Sequence, residues 1–344
     1  MKAYSLDDTA VLCAHLMRTR TLYAPCAAVT DEAEAGDAHW LKLAQPVALS
    51  SPPLRPMFSP KQFFFAERET LFVFDGRRFV ETVPTCPAQV LFGLVACDLS
   101  AIAYQDQFFA ADPHYQQRRA ATLLVGIDCR VPCAGAFCHV MDTGPTVRVG
   151  TADLVLHPEM SSGRCILIAQ TAAGEAALVG LLLEPAPSAW DARRRIGEAQ
   201  AREACEDAAH IMAGAARLNA GDVSAETWEQ IGLACVSCTG CTTVCPTCSC
   251  FTTRDERIPA TQPSSMSRVR LWDSCLLDSF QREASGHNPS ASAGQRVERF
   301  WYHKFSDDFR GEFGRVGCVG CGRCDTVCPS VIGAHSVMRR LAAS

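Results

Sequence analysis

Two cysteine runs near the C-terminal end constrain this chain more than any other feature. Residues 235–246 read CVSCTGCTTVCP, and residues 318–329 read CVGCGRCDTVCP. Both have the spacing C-x2-C-x2-C-x3-C-P, in which three thiolates hold one [4Fe–4S] cluster and the fourth cysteine ligates the other cluster when the run occurs twice. The spacing therefore predicts two clusters with crossed ligation. The first would be bound by Cys235, Cys238, Cys241 and Cys328, and the second by Cys245, Cys318, Cys321 and Cys324.

Zinc sites and disulfide bonds are the alternative uses of these cysteines. A structural zinc site usually takes its ligands as two separated pairs, a pattern that these compact runs fit badly. Twenty cysteines in 344 residues, after an N-terminus (MKAYSLDD) without the features of a signal peptide, predict a cytoplasmic protein whose cysteines are metal ligands. The apolar runs are too short to cross a membrane. The net charge of −5 gives no sign of a nucleic-acid partner.

The first part of the chain, residues 1–187, is predicted to form an α/β domain with a mixed or parallel sheet. Apolar runs at residues 90–96 and 122–127 are typical of strands buried on both faces. Helices between them, capped by Asp98 and Asp112, imply a crossover connection. Further expected elements are a helix over 8–20, a hairpin of 71–74 and 79–83, and strands over 153–157 and 165–169.

The second part, residues 188–344, is predicted to form an α-helical, ferredoxin-like dicluster domain. Residues 188–219 are rich in Ala, Arg and Glu and predict one long helix. Seventy-two residues separate Cys245 from Cys318, which favours helices after each run and a long insert between them. The insert has basic segments around Arg270 and Lys304. They form either a solvated face or an electropositive shell that stabilises reduced clusters.

A further group of cysteines follows the two predicted parallel strands. Cys97 and Cys129 come just after those strands, at the sheet edge where open α/β sheets bind ligands, and Cys133 and Cys138 are close in sequence. These four thiols are a candidate third [4Fe–4S] site; the alternative is that they are small buried apolar residues. Two other sets remain. We expect Cys248, Cys250 and Cys275 to adjust cluster potential, and the isolated Cys13, Cys26, Cys86 and Cys205 to fill the core.

Motifs for nucleotides and for common catalysis are missing from the sequence. Neither G-x-G-x-x-G after a strand nor G-x-x-x-x-G-K-[ST] occurs, and neither do G-x-S-x-G and H-E-x-x-H. A chain with clusters and without these motifs is expected to transfer electrons and to have no catalytic residue of its own. Two alternatives are a reductase that binds substrate at an open iron of the third site, and a zinc-based binding module.

Several segments together resemble a known family. They are FGLVACDL (92–99), DPHY (112–115), CRVP (129–132), CPTCSCF (245–251), WDSC (272–275), GHN (286–288) and HKF (303–305). The chain resembles the iron–sulfur β subunit of soluble, sulfhydrogenase-type NiFe hydrogenases, together with the corresponding iron–sulfur subunit of anaerobic sulfite reductase. The family commonly has Cys-Phe-Cys where this chain has Ala136-Phe137-Cys138, and Cys133 is the expected substitute for the missing thiol.

This resemblance implies a place in a hetero-oligomeric oxidoreductase. The chain would relay electrons between two partners: a diaphorase subunit, which binds FAD and NAD(P), and the small and large subunits of a NiFe hydrogenase. In the sulfite reductase alternative, a siroheme subunit would be the catalytic partner.

Overall fold

The computed structural model describes residues 1–27, 38–49, 52–159, 164–257 and 266–344. These residues form a mixed α/β fold with an eight-stranded mixed sheet and a four-stranded antiparallel sheet. No helix among them is both long enough and apolar enough to cross a bilayer. The strands are β1 (Lys2–Leu6), β2 (Thr21–Ala27), β3 (Ala38–Lys42), β4 (Arg68–Phe74), β5 (Phe79–Glu81), β6 (Gln89–Val95), β7 (Thr122–Ile127), β8 (Leu154–Pro158), β9 (Cys165–Ala169), β10 (Glu184–Pro185), β11 (Phe251–Arg257) and β12 (Met266–Trp272). The helices are α1 (Thr9–Met17), α2 (Ala96–Phe108), α3 (Pro113–Ala120), α4 (Ala172–Ala177), α5 (Trp190–Glu203), α6 (Ala209–Ala220), α7 (Ala225–Ala234), α8 (Gly240–Val244), α9 (Ala293–Phe305), α10 (Arg310–Phe313), α11 (Arg323–Val327) and α12 (Ala334–Ala343).

The eight-stranded sheet has the order β10-β1-β9-β8-β7-β6-β2-β3. Its central strands β2, β6, β7 and β8 run parallel, and the outer pairs are antiparallel. Strand β7 is buried along its whole length, and β6 along all of it but its first residue, which explains their continuous apolar sequences. The predicted mixed α/β class and the two buried parallel strands are therefore confirmed.

The helices after β6 begin in two different ways. Helix α2 begins at Ala96, earlier than predicted, and has no side-chain cap. Asp98 therefore lies inside its first turn, where its carboxylate pairs with buried Arg323, so the prediction that Asp98 caps this helix is wrong. Asp112 does cap α3, because its Oδ1 accepts a hydrogen bond from Tyr115 N at 2.8 Å and Pro113 is the first helical residue.

The prediction of one long helix over residues 188–219 is wrong, because two helices occupy this range. Helix α5 ends at Glu203 and α6 begins at Ala209. Between them, Asp207 Oδ1 accepts a hydrogen bond from Ala209 N at 3.0 Å. Such a local side-chain bond offers the backbone an alternative to the helical pattern, and the chain turns there.

The four-stranded sheet has the order β11-β12-β4-β5. It contains the predicted hairpin, β4 and β5, paired with two strands from the insert between the cysteine runs. Arg270 on β12 is buried, and its Nε donates to Glu69 Oε1 at 3.0 Å. This part of the insert is therefore not a solvated face. The sheet combines residues from both sides of position 188, and the domain division proposed there stays a prediction.

Candidate iron–sulfur cluster sites

The first predicted ligand set lines one cleft. Cys235, Cys238 and Cys241 from the first run line this cleft together with Cys328 from the second run. Helices α8 and α11, one from each run, pack against each other and bring the runs together. The apolar lining residues are Val236, Leu276, Val297, Phe300, Trp301 and Ile332.

The chemistry of this cleft suits a cluster. Burial raises the pKa of the Cys241 thiol to about 12, and the neighbouring Cys235 and Cys328 thiols add to the shift. Crowded thiols resist deprotonation when no metal is present, whereas coordination to a positively charged metal deprotonates them. Cys238 is exposed, so one edge of this site reaches the surface.

The second predicted ligand set is more deeply buried. Burial raises the pKa of the Cys318 thiol to about 12, and Cys321 and Cys245 are among the nearby groups that contribute to the shift. Cys245 therefore lies with the second run, although it belongs to the first. Gly320 N also donates to Cys318 Sγ at 3.3 Å. Such a bond stabilises negative charge on a ligand sulfur.

Two buried lysines lie beside this second set. Lys304 belongs to a basic segment for which the sequence left two interpretations open, a solvated face or an electropositive shell around the clusters, and Lys61 was not singled out in the sequence. Lys304 Nζ donates to Thr247 Oγ1 at 3.0 Å, and that oxygen lies 3.3 Å from Cys245 Sγ. Burial opposes the charge on Lys304, but the adjacent Cys245 and other thiolates raise the pKa of its ammonium group well above the usual value. Lys61 Nζ donates to Thr242 O at 2.9 Å, and burial lowers its pKa.

The three extra cysteines, Cys248, Cys250 and Cys275, take part in two sulfur pairs near these lysines, one of which includes the proposed ligand Cys245. A hydrogen bond with Cys248 lowers the pKa of the Cys245 thiol well below its usual value. A hydrogen bond with Cys275 lowers the pKa of the Cys250 thiol to about 6. The burial of Cys248 and Cys275, and the bond of Cys248 to Cys245, fit the predicted role of adjusting cluster potential.

The third predicted set lies at the end of the parallel strands. Val95 of β6 pairs with Ile127 of β7, so Cys97 and Cys129 emerge at the same edge of the sheet. Burial raises the pKa of the Cys138 thiol to about 12, and Cys205 and Cys133 are the nearest thiols that add to it. Cys205, which the sequence indicated only as a packing residue, therefore lies near this group.

The loop that carries the third set packs directly on the second cysteine run. Phe137 N donates to Gly320 O at 2.8 Å. Gly320 has a φ of +63°, and a Cβ there would lie 2.6 Å from Phe137 O. A Cβ at Gly322 would lie 2.3 Å from Gly135 O. Only glycine permits this close approach, which places the third set next to the second.

Arg55 was not singled out in the sequence. Its positive charge would suit a negatively charged group bound by the nearby thiols. Its Nη1 is buried and has no hydrogen-bond partner within the described residues. Its charge lowers the pKa of both Cys138 and Cys321, so the guanidinium is near the second and the third thiol sets. A buried donor without a hydrogen-bond partner is costly, and a sulfur atom of a thiolate-ligated cluster would supply that partner.

The alternative uses of the cysteines find less support. All twenty cysteines are free thiols. Across the described ranges, no three His, Cys, Asp or Glu side chains converge closely enough to hold a single metal ion. Thiols spread around a cleft suit a polynuclear cluster better than one zinc ion.

Comparison with known proteins agrees with this geometry. The 4Fe-4S dicluster domain family matches residues 234–332, which include both runs. The chain is 28% identical over 281 residues to Sulfhydrogenase 2 subunit beta from Pyrococcus furiosus, a span that covers 81% of each chain. No solved structure gives a significant match. The resemblance to a sulfhydrogenase β subunit that the motifs indicated is thus confirmed as a similarity, and the chain contains a 4Fe-4S dicluster domain.

Proposed function

We propose that this chain is a non-catalytic subunit that relays electrons through [4Fe–4S] clusters. The observation that carries the proposal is the cleft in which Cys328 joins Cys235, Cys238 and Cys241. Each cluster would gain and lose one electron without forming a bond to a substrate. The protein would set the position and the potential of each cluster, through burial, hydrogen bonds to sulfur and nearby charge.

Two clusters with crossed ligation form the core of this proposal. Cluster 1 is held by Cys235, Cys238, Cys241 and Cys328, and cluster 2 by Cys245, Cys318, Cys321 and Cys324. Support comes from the shared cleft and from the proximity of Cys245 to the second run. Short helices α8 and α11 within the runs agree with an α-helical ferredoxin-like module.

A third [4Fe–4S] cluster completes the proposed relay. Its ligands are Cys97, Cys129, Cys133 and Cys138, with Arg55 as a nearby positive charge. Cys321 of cluster 2 lies near Cys97 and Cys138. The relay would therefore run from the third cluster through cluster 2 to cluster 1. Cluster 1 would reach the surface at its exposed ligand Cys238.

The proposed partners are the other members of a cytoplasmic oxidoreductase complex. The relative's name describes it as one subunit of a sulfhydrogenase. By analogy, an FAD- and NAD(P)-binding diaphorase subunit would exchange electrons with one end of the relay. The small and large NiFe hydrogenase subunits would do so at the other end, or a siroheme sulfite reductase subunit in their place.

Anaerobic purification of the tagged chain from its own cells tests this proposal. We expect it to co-purify with nickel and with a flavin-containing protein; siroheme instead of nickel would identify the sulfite reductase alternative. The isolated chain should not oxidise NADPH, because it lacks a dinucleotide motif. Steady NADPH oxidation by the isolated chain would contradict a relay role.

A further inference from the structure

Lys304 is a buried ammonium group that no carboxylate of the described residues neutralises. It lies in the last turn of α9, and the residue is only 3% exposed. Two buried arginines have a carboxylate partner, since Arg323 pairs with Asp98 and Arg270 pairs with Glu69. Across the described ranges, Lys304 Nζ has one hydrogen bond, to Thr247 Oγ1, and faces the ring of Phe300 at 5.9 Å. Its positive charge is therefore available to act on neighbouring sulfur.

The contacts of Lys304 place it between the two cysteine runs. Through Thr247, its ammonium group approaches Cys245 Sγ, which lies 3.3 Å from the threonine oxygen. Its own carbonyl oxygen accepts a hydrogen bond from Cys318 N at 2.9 Å. Thr247 also donates to Gly317 O at 2.6 Å. Lys304 thus adjoins one proposed cluster 2 ligand from each run.

The surroundings of cluster 1 differ from those of cluster 2. Its cleft is lined by apolar side chains such as Leu276, Val297 and Trp301, and no lysine or arginine among the described residues lines it. Reduction adds one negative charge to a cluster. A fixed positive charge stabilises that added charge more strongly in a buried site than at a water-exposed one.

We propose that Lys304 selectively raises the reduction potential of cluster 2. The proposal rests on the cluster assignment given above. An electron that enters the relay would be held on the buried cluster 2, inside the protein, until a partner protein docks near cluster 1. Lys304 acts on the cluster through its charge. It therefore adjusts the potential of the cluster and is not one of its ligands.

Redox titration of the anaerobic protein, followed by EPR, tests this role after iron and acid-labile sulfide have been counted. Lys304→Gln keeps a donor for Thr247 and removes the charge. We expect it to lower the ratio of reduced to oxidised cluster 2 at least tenfold at a fixed potential, which corresponds to about 59 mV for a one-electron couple. The potential of cluster 1 should stay at its wild-type value. Cys238→Ser, which alters the exposed ligand of cluster 1, and Cys129→Ser, which removes a ligand of the third site, assign the EPR signals.

Two further variants keep the test decisive. Lys304→Met removes both the charge and the hydrogen bond, and should shift cluster 2 in the same direction. Lys42→Met is the matched control, because Lys42 is exposed on strand β3, and it should change neither potential. An unchanged cluster 2 potential in iron-replete Lys304→Gln, or an equal shift of both clusters, would overturn the role of Lys304. A wild-type protein without iron and sulfide would instead overturn the proposed function.

Discussion

Asp98 and Arg323 form a buried ion pair that joins the third thiol set to the second cysteine run. Arg323 Nη2 donates to Asp98 Oδ2 at 2.8 Å, and both side chains are 1% exposed. Asp98 follows Cys97 in the first turn of α2, and Arg323 lies between Cys321 and Cys324. The pair therefore fixes the relative position of two proposed clusters without adding a net charge beside them.

Removal of one partner of this pair should destabilise the protein strongly. Arg323→Met leaves the buried Asp98 carboxylate without a counter-charge, and we expect the free energy of unfolding to fall by about 3–5 kcal/mol. Denaturant unfolding under anaerobic conditions measures this loss. The control is Glu175→Gln, which breaks the exposed pair with Lys2 and should have little effect. Equal losses of unfolding free energy in the two variants would show that the buried pair contributes no more stability than the exposed pair.

Crossed ligation predicts which cluster a distant cysteine serves. Cys328→Ser should damage cluster 1, because Cys328 lines the cleft of Cys235, Cys238 and Cys241. EPR of the reduced protein and the iron content measure the loss. Cys86→Ser is the matched control, since Cys86 lies outside all three thiol sets and its thiol donates to the Pro84 carbonyl oxygen. Selective loss of cluster 2 in Cys328→Ser would refute the crossed arrangement.

A third cluster predicts a higher iron content than the dicluster domain alone requires. Anaerobic wild-type protein should contain ~12 iron atoms per chain, four for each cubane. Cys129→Ser removes a buried thiol of the third set, and we expect it to lower the content to ~8 while clusters 1 and 2 keep their EPR signals. A wild-type value of ~8 that Cys129→Ser leaves unchanged would show that only two clusters are present.

The buried Asp128 carboxylate should stabilise the fold at neutral pH. Burial raises its pKa, but hydrogen bonds from His157 and Arg194 outweigh that effect and hold the pKa below its usual value. A carboxyl whose folded-state pKa is depressed contributes stability that is complete above the unfolded value, about 3.9, and is lost as the pH falls through the folded value.

Asp128→Asn tests this contribution. At pH 7 we expect the variant to unfold more easily by about 3–5 kcal/mol, because Arg194 loses its buried partner. The difference from wild type should stay constant on moderate acidification and shrink only below about pH 4. Asp75→Asn, at an exposed turn, is the control and should change little. A difference that shrinks near neutral pH would contradict this linkage.

Local sequence patterns were sufficient for the elements that position the sites. The apolar runs of β6 and β7 predict strands because both faces of those strands are buried. The Asp112-Pro113 pair predicts the start of α3 because the cap and the fixed proline φ both act within one turn. The cysteine spacing predicts the ligand sets because cluster geometry restricts it.

Contacts between distant segments could not be predicted in the same way. Strand β11 is mostly exposed and has no alternating apolar pattern, so its segment gave no strand signal. For Arg270 and Lys304 the sequence left open a solvated face or an electropositive shell, because their partners Glu69 and Thr247 are distant in sequence and only the fold brings them into contact. The break between α5 and α6 occurs without glycine or proline, and the sequence therefore predicted one helix.

The most direct measurement is the iron, zinc and acid-labile sulfide content of anaerobically purified protein, combined with EPR after reduction. The cluster assignment predicts at least ~8 iron and ~8 sulfide atoms per chain, with signals from at least two clusters that each accept one electron. Zinc in place of iron, with no acid-labile sulfide, would contradict it.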